Sequence, residues 1–86
     1  MTTHELFEEL QEEVVGDLSG KLNYTGDVIK YEYDGFQQFD YNNDDLEAIC
    51  YEDRILIDDF LNENDDEFFT TEPEIHDRII YLYIEK

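Results

Sequence analysis

Positive charge is what this chain has least of. Five Lys and Arg stand against 25 Asp and Glu, a formal net charge of −20. The phosphate backbone is bound through Lys and Arg, so direct binding of DNA or RNA is excluded by sign. One cysteine, Cys50, cannot make an internal disulfide, and it points to a reducing, cytoplasmic setting. Cys50, His4 and His76 are too scattered for a zinc cluster. There is no Gly-rich phosphate loop and no apolar run near the roughly 20 residues that span a bilayer. The start, MTTHELFEEL, has neither the basic nor the apolar region of a signal peptide. Ala48 is the single alanine among many Ile, Tyr and Phe, unlike the alanine-rich, hydrophobe-poor composition expected of a halophile's acidic protein.

What remains is enough for one core. Hydrophobic residues are 41% of 86 and aromatics 15%, with seven Tyr and six Phe, which disordered chains lack. The length suits a single domain over 1–86. Divided after Asn43, the halves carry −8 and −12, so the charge belongs to the folded surface and not to a tail.

Thr2 with Glu5 forms a capping-box pattern, and Leu6, Phe7, Leu10, Val14 and Leu18 recur on one side of a helix running to about Leu18, with Gly20 as its stop. Glu5, Glu8, Glu9, Glu12 and Glu13 occupy another arc, with no Lys or Arg among them. Ile29, Tyr31 and Tyr33 alternate with polar residues up to Asp34-Gly35, a hairpin turn signal, and Phe39 and Tyr41 continue the alternation on a return strand. LEAICYEDRILIDDF fits a second hairpin turning at Glu52-Asp53, favoured by its β-branched residues, or a helix from Asp44 to Phe60. Residues 59–77 read as an acidic loop, with a helical turn near DDFLNEN as an option. RIIYLYIEK is a central strand. The expected fold is α+β: an N-terminal helix packed on a small antiparallel sheet of four to five strands.

No catalytic constellation emerges, and the chain is not expected to be an enzyme or to need a cofactor or metal. Asp40, Asn42 and Asp44 imitate the start of a Ca²⁺ loop, but Asp45 stands where its glycine belongs and Tyr51 where its glutamate belongs. Cys50 reads as a core residue.

The unusual stretch is NENDDEFFTTEPE, 62–74, with six carboxylates, no base and adjacent phenylalanines. Asp58, Asp59, Glu63, Asp65, Asp66 and Glu67 are too dense to be neutralised by five bases, and Glu72 and Glu74 follow close behind. They form the first candidate partner-binding surface, and Glu8, Glu9 and Glu12 form the second. Phe68 and Phe69 are either apolar anchors within that surface or plugs into the core. Carboxylates at i and i+4 of a helix lie about 5–6 Å apart, a spacing that a phosphate-binding groove can accept. Its Arg and Lys pair with carboxylate as with phosphate.

In size, charge, lack of motifs and α+β pattern, the chain resembles the acidic DNA-mimic inhibitors of phages and mobile elements: anti-CRISPR and anti-restriction proteins first, then inhibitors of uracil-DNA glycosylase. The resemblance implies a cytoplasmic inhibitor, monomer or dimer, that occupies the DNA-binding groove of a host nuclease, CRISPR effector or repair enzyme. It carries over no individual residue. An immunity protein or antitoxin neutralising a nuclease toxin is the alternative, and an acidic regulator of histones or RNA polymerase is a third reading.

Self-repulsion at −20 opposes compaction. Added salt should therefore raise the melting temperature as the Debye length falls from roughly 30 Å at about 0.01 M to 3 Å at 1 M. A chelator should not change it. Melting that is indifferent to salt, or sensitive to chelator, would contradict a self-repelling, metal-free fold.

Overall fold

The computed structural model describes residues 1–37 and 42–86. Helix α1 (Thr3–Glu13) begins at the Thr2 cap, where the hydroxyl accepts from Glu5 N–H and the Glu5 side chain accepts from Thr2 N–H. The helix stops before Leu18. Val15–Asp17 tightens into a 3₁₀ turn, and Gly20, itself buried, lies beyond it.

Strands β1 (Lys21–Tyr24) and β2 (Ile29–Asp34) form a hairpin closed by a Thr25 N–H to Val28 carbonyl bond, with Gly26 at φ +85°. This hairpin lies one strand earlier than the expected one. Asp34-Gly35 does turn the chain, but as a side-chain turn: Asp34 Oδ1 accepts from Phe36 N–H at 2.9 Å and a 3₁₀ segment, Gly35–Gln37, follows. The edges of β2 are taken by β1 over Ile29–Glu32 and by β5 over Ile29–Asp34. Phe39, Tyr41 and the Asp40 of the calcium-like stretch lie outside the described residues.

The larger correction is α2 (Asn43–Asn64), one 22-residue helix in place of the favoured second hairpin and the start of the acidic loop; the helical alternative over 44–60 is the one adopted, extended to Asn64. Asn42 and Asp45 form its capping box. Leu46, Cys50, Asp53, Ile57, Phe60 and Leu61 make its buried stripe. Burying that stripe outweighs the β-branched preference of its isoleucines, and propensity yields to tertiary packing. The short strands β3 (Phe69–Thr70) and β4 (Glu74–His76) then pair in line along the same edge of β5 (Ile79–Glu85). As expected, β5 is central, with β2 on its other side.

The fold is α+β, an antiparallel five-stranded sheet with both helices on one face. Register sets the two faces: Ile29, Tyr31 and Tyr33 of β2 oppose Ile84, Leu82 and Ile80 of β5, and all are buried against the helices. The opposite face is open, and it carries Lys30, Glu32, Ile79, Tyr81 and Tyr83, all half-buried.

One carboxylate lies inside. Asp53, 3% exposed, accepts from Ser19 N–H at 2.9 and 3.1 Å, from Gly20 N–H at 3.0 Å and from the Tyr31 hydroxyl at 2.6 Å. Gly20 is required there, since a Cβ would stand 2.6 Å from the Tyr31 ring and 2.7 Å from the Glu32 carbonyl oxygen. Burial first, and the bond to Asp53 second, push the Tyr31 hydroxyl far above its ordinary pKa, so it stays a donor.

Asp53→Ala would strand buried donors at about 1–3 kcal/mol each. It should cost about 3 kcal/mol or more in denaturant unfolding. Tyr31→Phe, which removes one donor and leaves the amides served, should cost clearly less, about 1.5–3 kcal/mol. Equal losses would mean that the loop amides are not held by Asp53.

Candidate functional site

The two helices divide their residues in the same way. Apolar side chains face the sheet and carboxylates face water, so the helix layer collects the acids of both elements. In α1 these are Glu5, Glu8, Glu9, Glu12 and Glu13, with no Lys or Arg in the helix. In α2 they are Asp44, Asp45, Glu47, Glu52, Asp58, Asp59 and Glu63, outside the buried Asp53, with Arg54 as the one base. Lys21 and Lys30 instead lie on the open face of the sheet, and Arg78 in the β4–β5 turn. The helix layer is therefore nearly all acidic, whereas the open sheet face mixes both signs, with Glu32 and Glu74 beside Lys21 and Lys30.

The anionic surface is also apolar, at Phe69 and, beyond what was expected, along α2. Phe68 is a plug, 3% exposed in the core, whereas Phe69 is 51% exposed. On α2, Tyr51, Ile55 and Leu56 are exposed. At roughly 100° per residue, Tyr51 and Ile55 fall at the centre of the outward arc, opposite the buried stripe. Glu52, Asp59 and Glu63 run down one side of them, and Glu47 and Asp58 down the other.

On the Glu47–Asp58 side, a trough separates α2 from the β3–β4 segment. One hollow, about 260 Å³, is lined by Glu47, Tyr51, Glu72, Pro73, Ile75 and Ile80, and a second, about 280 Å³, holds Asp58, Asn62 and Phe69. Arg54 stands between them and lines both. Its Nε donates to Thr70 Oγ1 at 2.8 Å, Thr70 Oγ1 donates on to Asp58, and Glu72 lies 3.8 Å from its Nη2.

The expected site residues thus separate into groups. Asp58, Asp59 and Glu63 share α2, with Phe69 and Glu72 across the trough from Asp58 and Arg54. Asp66 is exposed just past the helix. Asp65 and Glu67 depart from the expectation that these acids lack internal partners. Asp65 receives the N-terminal ammonium at 2.8 Å, and Glu67 pairs with Lys86 at 3.2 Å. Glu74 lies on the open sheet face beside Tyr81, away from the trough, and its acceptance of the phenol proton raises the Tyr81 pKa. On α1, Glu8 takes His4 at 3.1 Å, Glu12 is exposed and Glu9 half-buried.

Glu47, Tyr51 and Ile55 are the residues that sequence reasoning missed. The signal was present, since Asn42 with Asp45 is a capping box and 46, 50, 53, 57 and 60 keep helical spacing. Cys50 is buried and its thiol pushed up to about 11, mainly by that burial, which makes a poor nucleophile. Among the described residues no group of three or more His, Cys, Asp or Glu is placed to hold a metal ion, and no helix is long and apolar enough to cross a membrane. Comparison with protein-family models, curated proteins and solved structures finds no match.

The N-terminal ammonium, and then Glu67 N–H, hold the Asp65 carboxyl below its ordinary value. A lowered folded pKa stabilises above the unfolded value, near 3.9, and that contribution is lost as pH falls through the folded one. Asp65→Asn should therefore lower the melting temperature at neutral pH, and its gap from the parent should close in acid. A gap independent of pH would show that the ion pair contributes nothing.

Proposed function

We propose that the chain is a stoichiometric inhibitor whose acidic helix layer occupies the basic DNA-binding groove of a nuclease, CRISPR effector or repair enzyme. The observation that carries this reading is α2. Its 22 residues span about 33 Å, close to one turn of B-DNA at roughly 34–36 Å, and carboxylates line its outward arc with the one base turned aside. A helix is a stiff carrier, so little side-chain ordering beyond the carboxylates is lost on binding. Opposed to a row of Arg and Lys, these carboxylates speed encounter and form charge-assisted bonds. Tyr51, Ile55 and Phe69 add apolar contact that a phosphate backbone does not offer. The chain itself does no chemistry in this reading.

The test is competition. Protein immobilised on resin and loaded with host extract should retain nucleic-acid-binding proteins that are released by duplex DNA as well as by salt. The free chain should give no gel shift with the same duplex. Retained proteins indifferent to DNA would overturn the mimic reading, and a retained nuclease toxin among them would establish the immunity alternative. Glu52→Gln, Asp59→Asn and Glu63→Gln together, exposed side chains with no ion pair among the described residues, should weaken retention at least tenfold, about 1.4 kcal/mol. The matching change at Glu8, Glu9 and Glu12 should act less.

A further inference from the structure

The hollow at Tyr51 differs from the rest of the acidic layer because its walls combine three kinds of contact. Tyr51 is 65% exposed, an aromatic ring held in solvent on a charged helix. Glu47, four residues earlier, lies on the same side of α2. Across the gap stand Glu72, its side chain 90% exposed, and Pro73, with Ile75 and Ile80 as an apolar floor. At about 260 Å³, the space is smaller than the roughly 300–1,000 Å³ of small-molecule pockets. It suits one long side chain.

We propose that this hollow is an arginine subsite: it takes a single guanidinium from the basic groove of the partner, stacked on Tyr51 between the carboxylates of Glu47 and Glu72. The proposal rests on the inhibitor reading above and names the contact that would anchor it. Charge complementarity selects the occupant. Arg54 does not fill the role itself, because its Nε and Nη2 are directed to Thr70 Oγ1 and the Thr70 carbonyl at 2.8 and 3.4 Å. Glu72 is tethered to it only at 3.8 Å, and Glu47 makes no ion pair among the described residues. Two carboxylates thus face one internal cation that is turned toward β3.

The chain already shows the stacking elsewhere. The Arg78 guanidinium lies 5.3 Å from the Phe36 ring centre, and the Lys30 ammonium 5.0 Å from that of Tyr81. Tyr51 offers the same face, with no cation over it among the described residues. Arginine fits better than lysine, since a planar guanidinium stacks and bridges carboxylates through several N–H groups whereas an ammonium is a hydrated point charge. Its methylene stem would lie along Pro73 and Ile75.

The probe is N-acetyl-arginine-N-methylamide, titrated into the full chain at about 0.15 M salt and followed by amide NMR, with the lysine analogue in parallel. Saturable shifts should centre on Glu47, Tyr51, Ile75 and Ile80, and the lysine analogue should bind at least about threefold more weakly. Tyr51→Ala, at an exposed position, should lower arginine affinity about fivefold, while Tyr51→Phe restores it and Tyr83→Ala leaves it unchanged. Shifts spread without saturation over α1 and α2, equal binding of the two analogues, or a Tyr51→Ala variant that titrates like the parent would overturn the subsite. The two readings fail separately. Loss of the subsite with DNA competition intact leaves the inhibitor and moves its anchor. A working subsite without DNA competition keeps the anchor and removes the inhibitor.

Discussion

The buried carboxylate of Asp53 is the interaction on which the other elements depend. It sits midway along α2, binds the loop that joins α1 to β1, and meets the Tyr31 hydroxyl in the middle of β2. Three separate parts of the chain are thus positioned by two oxygen atoms. Removing a charge from water is costly unless hydrogen bonds replace the lost hydration. Here two backbone amides and a phenol do so, and no Lys or Arg takes part. A chain with five bases keeps them for the surface. An apolar residue at 53 would suit the helix stripe better locally, but it would leave the amides of Ser19 and Gly20 without acceptors.

With that join in place, both helices lie on one side of the sheet, and the mutual repulsion of their carboxylates is confined to one layer facing water. The bases are then distributed where they offset local repulsion. Lys30 pairs with Glu32 at 3.2 Å, Arg54 ties α2 to the β3 edge, and Arg78 donates to the Gly35 carbonyl at 3.1 Å. Partly buried contacts of this kind contribute modestly each. Their effect is on placement: they leave the outward arc of α2 uncompensated, which is where the apolar residues Tyr51 and Ile55 also emerge.

Much of this was legible in the residues and some was not, for definite reasons. The capping box at Thr2 and Glu5, the continuous apolar run of β5 and the α+β class follow from local pattern. Helix α2 is the less favoured of two readings in the sequence because Asp53 interrupts its apolar period, and because Ile49, Ile55 and Ile57 look like strand residues. Its partner for that aspartate lies 22 and more residues away, at Tyr31, Gly20 and Ser19, a relation no local window contains. Asp34-Gly35 was read as a hairpin since the same dipeptide serves a strand-to-helix turn. The doublet Phe68-Phe69 divides where the chain enters β3, with Phe68 buried and Phe69 exposed. Phe68 plugs the core and Phe69 stays exposed in the trough, so the plug reading applies to one residue of the pair and not to the other.

The two ends of the chain meet at the far end of α2. The Met1 ammonium holds Asp65, Lys86 holds Glu67, and the Lys86 ammonium also reaches toward the Met1 carbonyl oxygen at 3.4 Å. Adjacent ends make the fold topologically close to a ring. A short peptide joining residue 86 to residue 1 would leave each element where it is, and new ends could be opened at the exposed tip of the β1–β2 hairpin. Such a permuted chain would replace the electrostatic clasp with a covalent one. The order of elements along the chain is in that sense incidental, and the spatial arrangement about the buried carboxylate is what defines the protein.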